Sequence, residues 1–236
     1  DFCLSRGLGD VYKRQALRCI LPISYEHHSS QKIYHFIKSP ILKGNSIMAA
    51  TFRFEPDRVA YFEAAGWRAY YDRKWLKMLQ LIIALCQEQF HIPFPMSWVA
   101  AYHTIRASLL WVPVNHDERK VLASLEKFYR IARRYSGLKF DPVRVAALEL
   151  QYFDVHRRLI GQSDKTEFLQ TLIDLHSAIF GLAPDQVRKS AEWRLMAADT
   201  VDRITGKTST DVEGDWAKLE DYLRQCYREI QRELAA

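Results

Sequence analysis

The stretch DPVRVAALELQYFDVHRRL, residues 141–159, decides the fold class of this chain. Asp141 is a residue type that caps helix N-termini, and Pro142 has the fixed φ of a first helical position. Behind them, Val145, Leu148 and Tyr152 recur at the three- and four-residue spacing of one helix face. The stretch therefore predicts a capped, amphipathic α-helix.

The same signals recur along most of the chain. Prolines and acidic caps open apolar-periodic segments, glycines and prolines close them, and almost no alternating β-branched run intervenes. The segments predicted as helices are 56–91 with a bend at Gly66, 95–112, 117–136, 142–160, 164–180, 184–205 and 211–236. They predict an all-α, single-domain bundle of about seven helices, mostly antiparallel to their neighbours. The second helix is apolar nearly all round, which predicts a central, buried position.

Residues 1–47 are expected to lie outside this domain. Ser5 to Gln15, SRGLGDVYKRQ, back-translates codon for codon into the transposase adapter used for short-read sequencing libraries. We interpret it as untrimmed adapter at the edge of a metagenomic contig. Residues 16–47 lack apolar periodicity and helix caps, and resemble upstream sequence before a start at Met48. We therefore expect residues 1–47 to be non-native and disordered, the alternative being a basic arm, and 48–236 to form the domain.

Removing this segment changes the charge. The full chain has 34 basic and 28 acidic residues, a net charge of +6. Residues 1–47 hold seven basic and three acidic ones, which leaves 27 and 25, a net charge of +2. Such a balance argues against nucleic acid as a partner. One alternative remains, a phosphate- or nucleic-acid-binding face at Arg130, Arg133 and Arg134, beside Tyr129 and Tyr135, which could equally be a solvated basic surface.

The apolar positions predict the cellular compartment of the protein and its contacts with a membrane or a second copy. Cys86 and Cys226 fall within apolar helical patterns, so we expect buried free thiols in a reducing bacterial cytoplasm. No stretch has the roughly 18 uninterrupted apolar residues of a membrane span, so no membrane is expected. In 213–234, Trp216, Leu219 and Leu223 begin a stripe that docks on the bundle or forms a homodimer seam.

The residues most informative about function are polar side chains that periodicity places on inward faces. They are Asp72, His103, Glu149, Tyr152, His156, His176 and Asp202. Buried ions need partners, because removing a charge from water is costly. In one interpretation each of these groups has a structural partner. Asp72 would then pair with Arg73, for example, and His176 would be a hydrogen-bonded core residue. The other interpretation is a functional site between the helices.

Glu149 and His156 form the most specific candidate pair. Their separation of seven residues places them two turns apart on one helix face, with Tyr152 between them. A carboxylate and an imidazole so arranged can ligate a metal or form an acid–base pair. The Glu-x6-His spacing resembles one ligand helix of the haem-oxygenase-like di-iron oxidases, which implies an iron or manganese site with Glu149, His156 and His176 as ligands. That family also carries paired histidines on a later helix, and no histidine follows His176 here.

Three functional hypotheses remain. The first is a helical protein whose interior polar network is structural and supports no assignable activity. The second is a metal- or small-ligand-dependent enzyme with its site between the helices. The third is a phosphate or nucleic-acid binder that uses the Arg130–Arg134 face.

Overall fold

Eight α-helices make up most of residues 52–236, the part of the chain that the computed structural model describes. They are α1 (Pro56–Tyr71), α2 (Trp75–Phe90), α3 (Met96–Trp111), α4 (Glu118–Ser136), α5 (Pro142–Leu159), α6 (Thr166–Phe180), α7 (Pro184–Thr205) and α8 (Val212–Ala235). Residues 52–236 contain no strand, so the all-α class is confirmed. The predictions made for residues 1–47 lie outside the described residues.

The helix ends use the expected chemistry. The side chains of Asp117, Asp141 and Asp211 each accept a hydrogen bond from a first-turn backbone N–H, which satisfies donors that the helix itself leaves free. Gly137 and Gly181 end α4 and α6 with φ angles of 76° and 69°, a region that glycine enters without strain.

The one long helix expected over 56–91 is two helices. Arg73 has a φ of 59°, and a residue in this left-handed conformation cannot continue a right-handed helix. The chain turns at 72–74, which resets the helical phase and leaves Leu76 69% exposed. The helix α1 is continuous through Gly66. Gly66 is buried, and a β-carbon there would come within 3.2 Å of the Ile82 side chain, so glycine allows α1 and α2 to approach closely.

The helices form a closed ring. Each helix packs against the next along the chain, and α8 packs back on α1. Residues Phe52–Ala236 form one compact unit, and one apolar cluster of buried side chains joins all eight helices. Buried side chains from all eight helices therefore contribute to one core.

One packing prediction is wrong. The apolar helix α3 is not central: it packs against α2 and α4 and leaves one face at the surface, with Trp98 and Tyr102 exposed. The apolar stripe of α8, including Leu219 and Leu223, is buried against the chain's own helices α1 and α7. Of the two alternatives for 213–234, docking on the bundle is therefore the one found, and these buried residues do not offer a homodimer seam.

The predictions for the two cysteines and for membrane-spanning helices can also be compared with the structure. Cys86 and Cys226 are buried and unpaired with one another, as predicted. None of the described helices combines the length and the apolar composition that crossing a membrane requires.

Candidate functional site

A buried ion pair joins α1, α7 and α8 at the centre of the ring. Arg194 donates hydrogen bonds to the two carboxylate oxygens of Glu63, at 2.7 and 2.6 Å, and the Tyr227 hydroxyl donates to the same carboxylate. The guanidinium also lies 5.1 Å from the ring centroid of Trp67. Burial lowers the pKa of Arg194, but Glu63, Tyr227 and Tyr152 together more than offset burial and raise it, so the guanidinium stays charged. Both ions are satisfied.

A second carboxylate, Glu149 of α5, lies close to this pair and has fewer partners. The Tyr129 hydroxyl donates to its Oε2 atom at 3.1 Å, and within residues 52–236 its other oxygen accepts no hydrogen bond. Desolvation by burial raises the pKa of Glu149 to about 7, with Arg194 opposing the shift and the negative charge of Glu63 adding to it. Its side chain nevertheless keeps some accessible surface.

Tyr152 lies one turn further along α5 and connects this region to the next. Its ring stacks on the fully buried Phe168, with centroids 5.7 Å apart and planes 12° apart. Desolvation by burial raises the pKa of Tyr152 to about 12, so its hydroxyl remains a proton donor at neutral pH. Arg194 and Glu149 are both close enough to influence this hydroxyl.

His156 and Asp202 form a second polar pair, between α5 and α7. The His156 Nε2 atom lies 3.1 Å from each carboxylate oxygen of Asp202, and the imidazole stacks on Phe168 with centroids 5.0 Å apart and planes 6° apart. The carboxylate and the stacked ring together fix the orientation of the imidazole, an arrangement found in histidines that transfer protons. Desolvation and then Tyr70 raise the pKa of Tyr71, and Asp202 and Tyr152 are near enough to add to this shift.

These groups lie at two levels of the ring. Glu63 and Tyr71 are eight residues apart on α1, Arg194 and Asp202 are eight residues apart on α7, and Glu149 and His156 are seven residues apart on α5. The three helices thus run in the same direction, and the levels are about 11 Å apart, from the helical rise per residue. We call Glu63, Tyr129, Glu149, Tyr152, Arg194 and Tyr227 the inner polar cluster, and His156 with Asp202 the outer pair.

Three of the predicted site residues do not join these groups. Asp72 is exposed at the end of α1 and accepts a hydrogen bond from the Lys74 ammonium at 2.8 Å, so its predicted inward position is wrong. The turn at 72–74 removes it from the inward face. His103 is half-buried on α3, where desolvation and then the cations Lys127 and Arg106 lower its pKa.

His176 is a satisfied core residue. Its Nδ1 atom lies 2.8 Å from the hydroxyl of Ser190, and that hydroxyl donates its own proton to the Val187 carbonyl, so Nδ1 carries the hydrogen. Burial and then the charge of Arg194 lower the pKa of His176 to about 3, which keeps the imidazole neutral.

The ligand set expected for iron or manganese does not assemble. Glu149, His156 and His176 have separate partners, and no three histidine, cysteine or acidic side chains among residues 52–236 are grouped as a metal ion would require. The residues present therefore do not fit a di-iron site of the haem-oxygenase-like kind.

Two surface features offer less to a ligand than the interior does. Arg130 pairs with Glu126 at 3.3 Å, and Arg133 donates to the carbonyl of Phe140, so two of the three arginines of the basic α4 face have local partners. A surface cleft of about 500 Å³ lies between α1, the start of α2 and α8. Charged side chains that line this cleft form ion pairs with one another, as Arg68 does with Glu213. The interior is therefore the better candidate site.

Sequence reasoning missed Glu63 and Tyr227 and underrated Arg194. Glu63 lies between Ala60 and Ala64 on the buried face of α1, a position that becomes visible once α1 is ended at Tyr71. Tyr227 follows Cys226 on the inward stripe of α8. The pairings themselves link residues 131 and 164 positions apart, which no local pattern reveals.

Comparison with protein-family models, with curated proteins and with solved structures finds no match to this chain.

Proposed function

We propose that the inner polar cluster binds a small organic molecule and that Glu149 exchanges a proton with it. The observation that carries the proposal is the contrast between two neighbouring carboxylates. Glu63 is held by Arg194 and Tyr227, whereas Glu149 has Tyr129 as its one hydrogen-bond partner within residues 52–236 and keeps part of its surface accessible. A purely structural network would be expected to satisfy both acids, because an incompletely bonded buried carboxylate destabilises the fold.

The charges of the cluster define the class of ligand. The positive charge of Arg194 is already neutralised by Glu63, so it offers little to an anion, and an ionised Glu149 would repel one. The phenol groups of Tyr129 and Tyr152 supply aromatic surface and hydroxyls beside Glu149. A neutral or cationic molecule with a hydrogen-bond donor fits this environment, with its donor group on the free oxygen of Glu149.

The chemistry that follows is general acid–base catalysis or reversible proton binding. A carboxyl whose pKa lies near 7 can both accept and return a proton at neutral pH, which is the property that such catalysis needs. His156, held by Asp202 at the outer level, is the second group able to carry a proton within the same interior.

The test is a ligand-observed NMR screen of small neutral, cationic and anionic compounds. We expect neutral and cationic donors to bind the wild-type chain and to bind Glu149→Gln at least tenfold more weakly. Glu192→Gln removes an exposed carboxylate from α7 and serves as the matched control. Compounds that bind the wild type and Glu149→Gln equally, or no bound compound in any charge class, would favour the structural-network hypothesis.

A further inference from the structure

A buried imidazole nitrogen at the corner between α3 and α4 has no hydrogen-bond partner in the described part of the chain. It belongs to His116, whose side chain is 8% exposed. The Nδ1 atom lies 3.1 Å from the Pro113 carbonyl, which can only accept, so Nδ1 carries the hydrogen of the neutral ring. The lone pair is then on Nε2, the buried nitrogen without a partner. Such an atom destabilises a fold, which favours any state that satisfies it.

The carboxylate of Asp154 on α5 lies opposite this nitrogen. Its Oδ1 atom is 3.9 Å from Nε2 of His116, beyond hydrogen-bond distance, and the same oxygen accepts a hydrogen bond from the Trp111 indole N–H at 2.8 Å. While the imidazole is neutral, a lone pair faces a negative oxygen and neither atom can donate. A proton on Nε2 would convert this contact into a charge-assisted hydrogen bond after an approach of about 1 Å.

Three further charged side chains flank this corner, and each has contacts of its own. On α5, the Arg157 guanidinium donates hydrogen bonds to two carbonyls at the end of α3. At the start of α4, Asp117 forms an ion pair with Lys120 at 3.1 Å. Burial and the positive charge of Arg157 disfavour a charged imidazole, whereas Asp154 favours it. The contact between His116 and Asp154 is therefore the one that a proton would change from unfavourable to favourable.

We propose that His116 is a proton-operated latch between the α3–α4 corner and α5. Histidine is the side chain that ordinarily changes charge between about pH 5 and pH 8. As pH falls through this range, Nε2 of His116 takes up a proton from solvent and donates a hydrogen bond to Asp154, while Nδ1–H stays on the Pro113 carbonyl. The latch closes in weak acid and opens as pH rises, so the segment 112–117 is held more firmly against α5 at low pH.

Histidine ring ¹⁵N NMR of the full chain from about pH 8 to pH 5 tests the proton uptake. His116→Gln assigns the His116 resonances. We expect a neutral ring with its hydrogen on Nδ1 at the alkaline end and a doubly protonated ring at the acid end. Asp154→Asn keeps the acceptor for Trp111 but removes the charge, so it should lower the proton affinity of His116 at least about threefold. Asp185→Asn, which removes an exposed carboxylate from α7, is the matched control and should leave that affinity unchanged.

Backbone hydrogen exchange of residues 112–117 tests the latch itself. After correction for the intrinsic pH dependence of exchange, we expect protection of this segment in the wild type to increase at least about threefold as pH falls over the same range. His116→Gln retains Glu149 and every other titrating group, so loss of the increase in this variant assigns it to His116. Circular dichroism of each variant reports whether it is folded.

Three results would each overturn the proposal. The first is a wild-type His116 that stays neutral down to about pH 5. The second is a proton affinity of His116 that is equal in the wild type and Asp154→Asn. The third is protection of residues 112–117 that does not change with pH in the wild type, which would leave a proton-binding pair without a latch. The first and third are measured on the wild type, so they stand even where a variant fails to fold.

Discussion

Glu149 is the residue on which the proposed function rests, and its ionisation should be visible in the stability of the protein. Burial raises its pKa to about 7, above the value of about 4.5 in an unfolded chain. A raised folded pKa contributes stability that is fully present below the unfolded value and is lost as pH rises through about 7. The ionised carboxylate therefore lowers the free energy of unfolding at alkaline pH.

Replacing this acid by its amide should therefore stabilise the protein at high pH. We expect Glu149→Gln to match the wild type near pH 5 and to exceed its free energy of unfolding by up to about 3 kcal/mol near pH 8. Urea denaturation across this pH range measures the difference. A variant less stable than the wild type at pH 8 would mean that the carboxylate is structural.

Unlike an ionised Glu149, the Arg194–Glu63 pair should stabilise the fold, because each side chain supplies the buried partner of the other. Arg194→Met leaves Glu63 buried without its cation, and we expect a loss of about 3–5 kcal/mol in the free energy of unfolding. Adding Glu63→Gln should recover much of this loss, since it removes the uncompensated charge. A double-mutant cycle by urea denaturation gives the coupling, and additive effects would contradict a paired, buried role.

At the level of single elements, most helices could be predicted and one could not. Acidic caps and glycine stops are local signals, so α4 to α8 begin and end close to their predicted positions. The turn at 72–74 contains neither glycine nor proline, and Arg73 adopts its left-handed conformation without a sequence signal. Because this turn was not predicted, the helical phase was shifted, which placed Asp72 inside and left Glu63 unnoticed.

The α3 helix shows a second limit of local patterns. Apolar periodicity reports that a helix is suited to burial but not which element covers each side. A helix closed in by its own chain and one completed by a partner have the same composition, so α3 was assigned to the centre of the bundle although it lies at its edge.

The end of α7 gives a prediction at this scale. Lys207 follows the helix with a φ of 59°, a conformation that disfavours a residue with a β-carbon. We expect Lys207→Gly to raise the free energy of unfolding by about 0.5–1 kcal/mol, as glycine does at left-handed helix ends. Lys207→Ala keeps the strain and should leave the urea midpoint near that of the wild type.

For the whole molecule, the ring explains why the site was only partly predictable. The inward direction of Glu149, Tyr152, His156 and Asp202 follows from helical periodicity within single helices. Their grouping into two levels depends on which helices run side by side, and α1 meets α8 only because the chain closes on itself. Helix order and register are therefore needed before the inner polar cluster and the outer pair can be told apart.

The charge state of Glu149 in the intact protein tests the central claim most directly. Carboxyl ¹³C NMR of chain labelled at glutamate Cδ, with Glu149→Gln used to assign the resonance, follows its ionisation as pH is varied. We expect the Glu149 resonance to titrate near pH 7. A midpoint near 4.5, the ordinary value for a solvated glutamate, would contradict a buried proton-exchanging carboxyl at the centre of the ring.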